Sequence, residues 1–458
     1  MTQLGSGDTI AAISTPLGEG GIGIVRLSGS KAADIARRLF RPHRPRRQWR
    51  SHHLYLGHIV NPQGEVIDEV LLTLMRAPHT YTREDVVEIN CHSGYGVLQR
   101  ILNLALSQGA RLARPGEFTA RAFLAGRLDL TQAEAVLEII QTRTQAGLKV
   151  AAAHLQGSLG RRLKGVREEL LNLLARLEAA LDFPEEAAEL SGPLIEEALA
   201  SQSRALLDLS ATYQEGRLLR EGLLVVIAGR PNVGKSSLLN RLLDADRAIV
   251  TEIPGTTRDF IEEGLNLGGL PVRLSDTAGL RTAQDRLEEL GIARTRERLA
   301  QADLLLYLVD GSEPLDPEDL QALGELKEQR GLAVINKIDL PLVLAETELR
   351  AATPFPLVKI SALTGQGLPD LKQAILDLAL EGGLRPGGEI VTQARHYQHL
   401  SQCLDYLAQA RTLINPEPPW ELVALEVREA IRELGEITGE EVGEDILDRI
   451  FSQFCVGK

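Results

Sequence analysis

Apolar and polar positions change their spacing several times along this chain of 458 residues. In residues 1–118, short β-like apolar runs alternate with two helical patterns and glycine-rich turns, which predicts an α+β domain. The predicted strands are 10–13, 22–27, 70–74 and 86–89, and the predicted helices are 32–40 and 97–108.

Residues 119–221 are instead rich in leucine, with little strand character. Apolar side chains recur there at steps of three or four, which is typical of a helix packed against other helices. They are Leu159, Leu163, Val166, Leu170, Leu173, Leu177 and Leu181.

Helical patterns resume in residues 382–458, at 390–413 and 421–434. Residues 222–381 between them alternate strand and helix patterns, so the chain predicts one α-helical domain interrupted by an inserted α/β domain, with hinges near Glu221 and residues 382–388.

The sequence Gly229-Arg-Pro-Asn-Val-Gly-Lys235-Ser236 follows an apolar run and precedes a helical pattern. In that context GxxxxGKS is a P-loop, whose backbone N–H groups and helix N-terminus bind the phosphates of a nucleotide. Lys235 is expected to reach the β- and γ-phosphates and Ser236 to reach Mg²⁺. The expected contacts are Asn232, Val233, Gly234, Lys235, Ser236 and Ser237.

Asn336-Lys337-Ile338-Asp339 follows another strand-like run and indicates which base is bound. The Asp339 carboxylate can accept from guanine N1–H and the 2-amino group together, and adenine lacks this pair, so GTP is favoured over ATP. The loop Ser361-Ala362-Leu363 is expected to donate backbone N–H groups to guanine O6. Alone, the NKxD pattern also fits an ordinary turn, and its order behind the P-loop favours the functional interpretation.

Asp276-Thr277-Ala278-Gly279 follows a strand-like run and is expected to sense the γ-phosphate, with Asp276 near magnesium and Gly279 donating its N–H. Upstream, Thr251, Thr256 and Thr257 lie in the candidate switch region. The order of these motifs predicts a Ras-like G domain.

Leu280 follows Gly279 at the position where Ras-like enzymes use glutamine to orient the attacking water. Another group must therefore orient the attacking water or stabilise the charge that develops during hydrolysis. Glu288 could hold the water, although a solvated helix face explains it as well. A monovalent cation could replace an arginine finger, with oxygen ligands from Asn232 and the loop 251–256.

Composition excludes several classes of protein. The chain has 50 basic and 63 acidic side chains, a net charge of -13, which argues against nonspecific coating of nucleic acid. A local arginine cluster remains, and it fits either a solvated loop or an RNA phosphate contact. It comprises Arg37, Arg38, Arg41, Arg44, Arg46, Arg47 and Arg50.

The 3 cysteines have no zinc-site or disulfide spacing. The first residues show no signal-peptide pattern, and no apolar run is long enough to span a membrane. These observations predict a cytoplasmic protein without membrane association. The 9 histidines show no ligand spacing, which favours structural roles.

With these motifs, the chain resembles the bacterial and organellar family of tRNA-modification GTPases that install carboxymethylaminomethyl groups on the wobble uridine. The resemblance covers essentially the whole chain. Beyond the G motifs it is carried by Asp8-Thr-Ile-Ala, Gly20-Gly-Ile-Gly-Ile-Val-Arg26, Glu84-Asp-Val-Val-Glu88, Arg114-Pro-Gly-Glu-Phe118, Leu128-Asp-Leu-Thr-Gln-Ala-Glu134 and Phe454-Cys-Val-Gly-Lys458.

The resemblance implies an N-terminal folate-binding and dimerisation domain (1–118), a helical domain in two parts (119–221 and 382–458) and an inserted G domain (222–381). It implies a homodimer that works on tRNA with a flavin-dependent partner protein, using GTP, Mg²⁺, K⁺ and 5-formyl- or 5,10-methylene-tetrahydrofolate. Site roles carried over by matching motif are folate contacts at Arg26, Glu88, Arg127 and Lys458, potassium ligands Asn232, Thr251, Ile253 and Thr256, magnesium ligands Ser236 and Thr257, and Glu288 for the water.

Two residues, Cys455 and Glu88, each have more than one possible role. Cys455 could attack C6 of uridine as a thiolate, or it could line the folate pocket. Glu88 fits the adjacent donors of a pterin ring, but without the resemblance it is a strand-end carboxylate. Cys91 and Cys403 are expected in the core.

Two other functions share the G motifs. A ribosome-assembly GTPase also lacks the glutamine, but such proteins usually carry a basic RNA-binding module. A signalling switch awaiting an activating protein would hydrolyse GTP equally well in potassium and in sodium.

Overall fold

The computed structural model describes residues 7–45, 47–183, 191–246, 263–276, 301–380, 389–414 and 418–458. They form two compact units. One contains the described residues within 1–137, 154–204 and 399–458, and the other those within 138–153 and 205–398.

Strands and helices are numbered here in chain order. The strands are β1 Ile10–Ile13, β2 Gly23–Ser28, β3 Phe40–Pro42, β4 His53–Val60, β5 Val66–Met75, β6 Val86–Cys91, β7 Arg111–Leu112, β8 Leu223–Ala228, β9 Glu263–Leu267, β10 Leu270–Asp276, β11 Leu304–Asp310, β12 Gly331–Asn336 and β13 Leu357–Lys359. The helices are α1 Ala32–Leu39, α2 Tyr95–Ser107, α3 Glu117–Leu124, α4 Leu130–Gln141, α5 Gln145–Leu155, α6 Ser158–Asp182, α7 Gly192–Ser210, α8 Tyr213–Glu221, α9 Lys235–Asp246, α10 Pro317–Leu326, α11 Glu346–Ala352, α12 Leu368–Ala379, α13 Ala394–Thr412, α14 Trp420–Thr438 and α15 Glu444–Ser452.

The first unit contains a sheet of order β3-β4-β5-β6-β2-β1-β7. Its neighbours are antiparallel except for the parallel pair β1 and β7. Alternate strand residues such as Val25, Leu72 and Ile89 share a core with buried residues of α1 and α2. The α+β prediction is confirmed, but β3, β4 and the two-residue β7 were not predicted, because polar and basic residues interrupt their apolar pattern.

The predicted leucine stripe lies on α6, where Leu159, Leu163, Leu170 and Leu177 are buried. This helix packs along α14, and Glu178 accepts a hydrogen bond from Arg428 at 2.6 Å. The stripe is therefore a helix–helix contact, as its spacing predicts.

The helix predicted for residues 390–413 begins later, at Ala394. Before it, the Val391 amide donates to Thr212 Oγ1 at 2.9 Å and the Thr392 hydroxyl donates to Glu138 Oε1 at 2.6 Å. Because these partners are distant in sequence, tertiary hydrogen bonds hold this segment outside the helix and overcome its local propensity.

The second unit contains a sheet of order β13-β12-β11-β8-β10-β9, which is parallel except at β9 and β10. Strands β8 and β12 are buried throughout. One core contains Leu238 of α9 and Leu371 of α12, and another contains Leu323 of α10 and Leu349 of α11. Such a doubly wound sheet holds its ligands at the carboxyl ends of its strands.

Candidate functional site

The P-loop connects the end of β8 to the first residue of α9, as the sequence predicts. Its backbone is left-handed at Asn232 (φ 65°) and at Gly234 (φ 99°). A Cβ on Gly234 would lie 2.2 Å from Asn336 Nδ2, so this part of the loop requires glycine.

Lys235 is 8% exposed at the start of α9. Its Nζ donates to the carbonyl oxygens of Gly229 at 2.9 Å and Arg230 at 2.7 Å. Ser236 and Ser237 continue the first turn of the helix. The ammonium group and the helix N-terminus together create a positive site of the kind that binds phosphate.

Asn336 connects the P-loop to the loop that follows β13. Its buried Nδ2 donates to the Val233 carbonyl at 2.8 Å, and its Oδ1 accepts from the Ala362 amide at 2.9 Å. Ser361 is buried and Leu363 is 77% exposed. The first residue of the NKxD motif therefore fixes the geometry between two loops, a role that the sequence analysis did not identify.

Lys337, also left-handed (φ 64°), forms an ion pair with Asp310 at the end of β11. Burial alone would raise the pKa of Asp310, but hydrogen bonds from Lys337 and Ser312 outweigh it and lower that pKa. Asp339 lies exposed two residues further along. Sequence reasoning missed Asp310, although an aspartate at the end of a buried strand is a usable signal.

Several predicted residues lie outside the described part of the chain. These are Thr251, Ile253, Thr256, Thr257, Thr277, Ala278, Gly279 and Glu288. Asp276 is described as the last residue of β10. The roles of Asp276 and of these other residues stay predictions.

A second polar cluster lies in the other unit, on the sheet. Arg26 of β2 and Glu88 of β6 are directly opposite each other, with Nη2 and Oε1 2.8 Å apart. Arg26 Nη1 also donates to the Gly457 carbonyl at 3.3 Å, and the Phe118 amide donates to the Lys458 carbonyl at 3.1 Å. The C-terminal residues therefore lie beside the Arg26–Glu88 pair.

Arg127 reaches the same cluster through Tyr81. Its guanidinium lies 4.7 Å from the centre of the Tyr81 ring and donates to the Tyr81 carbonyl at 3.1 Å. Burial raises the pKa of Tyr81, against the lowering effects of its bond to Thr119 and of the Arg127 and Arg26 charges. The structure thus brings together the predicted residues Arg26, Glu88, Arg127 and Lys458. Tyr81 was not predicted from the sequence, since an isolated aromatic residue gives little signal.

The cysteines differ in environment. Cys91 and Cys403 are buried, as expected, and burial raises their thiol pKa values to about 11 and about 12. Cys455 is exposed in the C-terminal segment, and its reactivity stays a prediction. Within the described residues, no helix is long and apolar enough to cross a membrane.

Comparison with known proteins identifies the family. The model of the GTP-binding protein TrmE N-terminus matches residues 9–127, and the MnmE helical domain model matches residues 130–455. The solved G domain of the T. maritima FeoB iron transporter is 28% identical over 34% of this chain and 99% of its own, with a TM-score of 0.28. The family assignment rests on the family models and on full-length relatives.

Two such relatives are named tRNA modification GTPase MnmE. The protein from Moorella thermoacetica is 50% identical, covering 98% of this chain and 99% of its own length. That from Chloroflexus aurantiacus is also 50% identical, covering 98% of this chain and 100% of its own. Because these relatives cover 98% of this chain and the two family models match residues 9–127 and 130–455, this chain belongs to the MnmE family of tRNA modification GTPases.

Proposed function

We propose that this protein is the GTP-hydrolysing subunit of the enzyme that forms 5-carboxymethylaminomethyluridine at the wobble position, U34, of tRNA. A tetrahydrofolate derivative supplies the one-carbon unit for C5 of the uridine, and a flavin-dependent protein is the partner. The protein acts as a homodimer. The observation that carries the proposal is the Arg26–Glu88 pair beside the C-terminal segment, in a chain that also has a complete P-loop.

The nucleotide site is proposed to bind GTP with Mg²⁺. Lys235 would neutralise the β- and γ-phosphates, while Asp339 would select guanine. Ser236 and Thr257 would hold the magnesium ion, whose charge stabilises the transferred phosphoryl group. The left-handed residues of the loop support this assignment, because such backbone turns form the anion-binding concavities of P-loops.

The polar cluster is proposed to bind the folate. Glu88 Oε1 is held by Arg26, and Glu88 Oε2 has no hydrogen-bond partner among the described residues. A pterin presents an N–H and a 2-amino group side by side, which a carboxylate can accept together. Tyr81 is half-buried and offers aromatic surface for the ring, whereas Phe118 is buried, with its ring centre 5.6 Å from the Arg26 guanidinium. Arg127 and Lys458 would contact the remainder.

Replacing Glu88 with glutamine is expected to weaken binding of 5-formyltetrahydrofolate by about 10-fold or more, since charge-assisted hydrogen bonds to the pterin are lost. Isothermal titration of the full chain measures this affinity. Glu65→Gln is the matched control, because Glu65 bonds to Asn61 away from the cluster. Unchanged folate affinity in Glu88→Gln would contradict the assignment of Glu88 as a folate contact.

Potassium is proposed to act in place of an arginine finger, in a site where Leu280 stands in place of a water-orienting glutamine. Asn232, Thr251, Ile253 and Thr256 would hold the ion, and Glu288 would orient the water when the G domains pair. GTP hydrolysis should then be about 10-fold or more faster in potassium than in sodium at equal ionic strength.

The variant Asn232→Gly sharpens this test. Glycine tolerates the left-handed φ of 65° but removes the side-chain oxygen. We expect the variant to bind GDP normally and to lose the potassium stimulation. Equal wild-type rates in the two salts would contradict the potassium proposal.

A further inference from the structure

His43, His58 and Glu69 form a compact group in the N-terminal sheet, away from both sites above. Their nitrogen and oxygen ligand atoms all lie within 4.8 Å of one another. His43 Nε2 is 3.1 Å from Glu69 Oε1, and His58 Nε2 is 3.8 Å from the same oxygen. Two imidazoles and one carboxylate form a donor set that suits Zn²⁺.

The backbone holds these side chains in register. His58 of β4 and Glu69 of β5 are cross-strand partners, so their side chains lie on the same face of the sheet. His43 follows β3, and its amide donates to the Leu56 carbonyl at 3.1 Å. Two neighbouring strands and the residue that follows a third therefore contribute one donor each, and little backbone entropy remains to be lost on binding an ion.

The distances are close to those that a zinc ion needs. Tetrahedral ligands at zinc bond lengths lie about 3.4 Å apart, so the two measured separations need shifts of a few tenths of an ångström. The imidazole centres are 4.7 Å apart, and the rings are inclined at 42°. The third separation, between the two imidazole nitrogens, is at most 4.8 Å, so the rings must turn toward each other to bind one ion.

His43 lies within the arginine cluster of residues 37–50, but the arginine opposite His58 directs its charge elsewhere. Arg41 is the cross-strand partner of His58 on the other side. Its Nη1 donates to the carbonyls of Arg37, Arg38 and Phe40, so its charge is directed toward the end of α1. The three candidate ligands are partly exposed, with side-chain exposures of 36–53%, so an ion can enter from solvent.

We propose that His43, His58 and Glu69 bind one Zn²⁺ ion with three protein ligands. The fourth position is open to water or to a group from another molecule. The ion connects β3, β4 and β5 and stabilises that edge of the sheet. This inference is independent of the GTP and folate assignments.

The test is zinc titration of the full chain by calorimetry, with excess Mg²⁺ present to occupy hard-cation sites. All proteins carry Cys455→Ser, because an exposed thiol is itself a zinc ligand. We expect one ion per chain and a higher unfolding temperature with zinc. In His58→Ala the affinity should fall by about 10-fold or more, and the thermal shift should disappear.

His92→Ala is the matched control. His92 also pairs with a carboxylate, Asp68, at 2.7 Å, but it is not part of a three-ligand group among the described residues. Its loss should change zinc affinity by less than about twofold. The proposal is overturned if zinc does not bind stoichiometrically, if His58→Ala binds like the parent protein, or if His92→Ala is equally damaging.

Discussion

Replacing Lys235 with alanine is expected to lower kcat for GTP hydrolysis by about 100-fold or more, because a preorganised positive charge at the phosphates is lost. Lys235 is 8% exposed within the P-loop, and its ammonium group donates to two loop carbonyls, which hold the charge at this position. Phosphate release under single-turnover conditions with saturating GTP measures the effect on chemistry separately from binding.

Lys359→Ala is the control for this prediction. Lys359 is on the same sheet, with a side chain that is 48% exposed and paired with Glu346. Its removal should leave hydrolysis near the wild-type rate. The account of the nucleotide site fails if Lys235→Ala hydrolyses GTP as fast as Lys359→Ala.

Replacing Glu117 with alanine is expected to destabilise the N-terminal sheet by about 1.5–3 kcal/mol, since buried charge-assisted hydrogen bonds are lost while Arg111 and Arg121 keep Asp8 as a partner. The Glu117 side chain is fully buried and accepts from Arg111 Nη2 at 2.6 Å and from Arg121 Nη2 at 2.9 Å. The Arg114 amide adds a third bond at 2.8 Å. Hydrogen exchange of the β1 amides in the full chain gives the opening free energy, which avoids assuming two-state unfolding of a multidomain protein.

The same network sets a pH dependence. Burial raises the pKa of Glu117, but hydrogen bonds from Arg111, the Arg114 amide and Arg121 outweigh it, and the net pKa is lowered. A lowered folded-state pKa contributes stability above the unfolded pKa of about 4.3 and loses it as pH falls through the folded value. The difference in opening free energy between wild type and Glu117→Ala should therefore be largest at neutral pH and decrease in acid.

Asp34→Asn is the corresponding surface control. Asp34 pairs with Arg37 at 3.0 Å, and both side chains are at least half exposed. Such a pair contributes about 0–1 kcal/mol. If Glu117→Ala opened no more readily than Asp34→Asn, the buried network would not stabilise this domain as argued.

Local sequence signals predicted those features that depend on fixed spacing. The P-loop requires glycine at position 234 and a lysine at the helix start, and both lie where the pattern predicts. The apolar stripe on α6 was likewise predicted from the sequence, because the buried positions follow the helical period.

Features that depend on pairing between distant residues could not be predicted in this way. Asn336 is bonded to Val233 and Ala362, and nothing in the NKxD pattern indicates those partners. Similarly, the contact of Gly457 with Arg26 joins residues from opposite ends of the chain. Such contacts follow from topology and register, which single-sequence patterns do not specify.

The central claim is that GTP turnover by this chain is needed to modify the wobble uridine of tRNA. Mass spectrometry of tRNA nucleosides from cells lacking the protein, complemented with wild type or Lys235→Ala, tests it most directly. The account predicts that the carboxymethylaminomethyl nucleosides disappear without the protein, return with wild type and stay absent with Lys235→Ala. Unchanged wobble nucleosides in cells without the protein would contradict it.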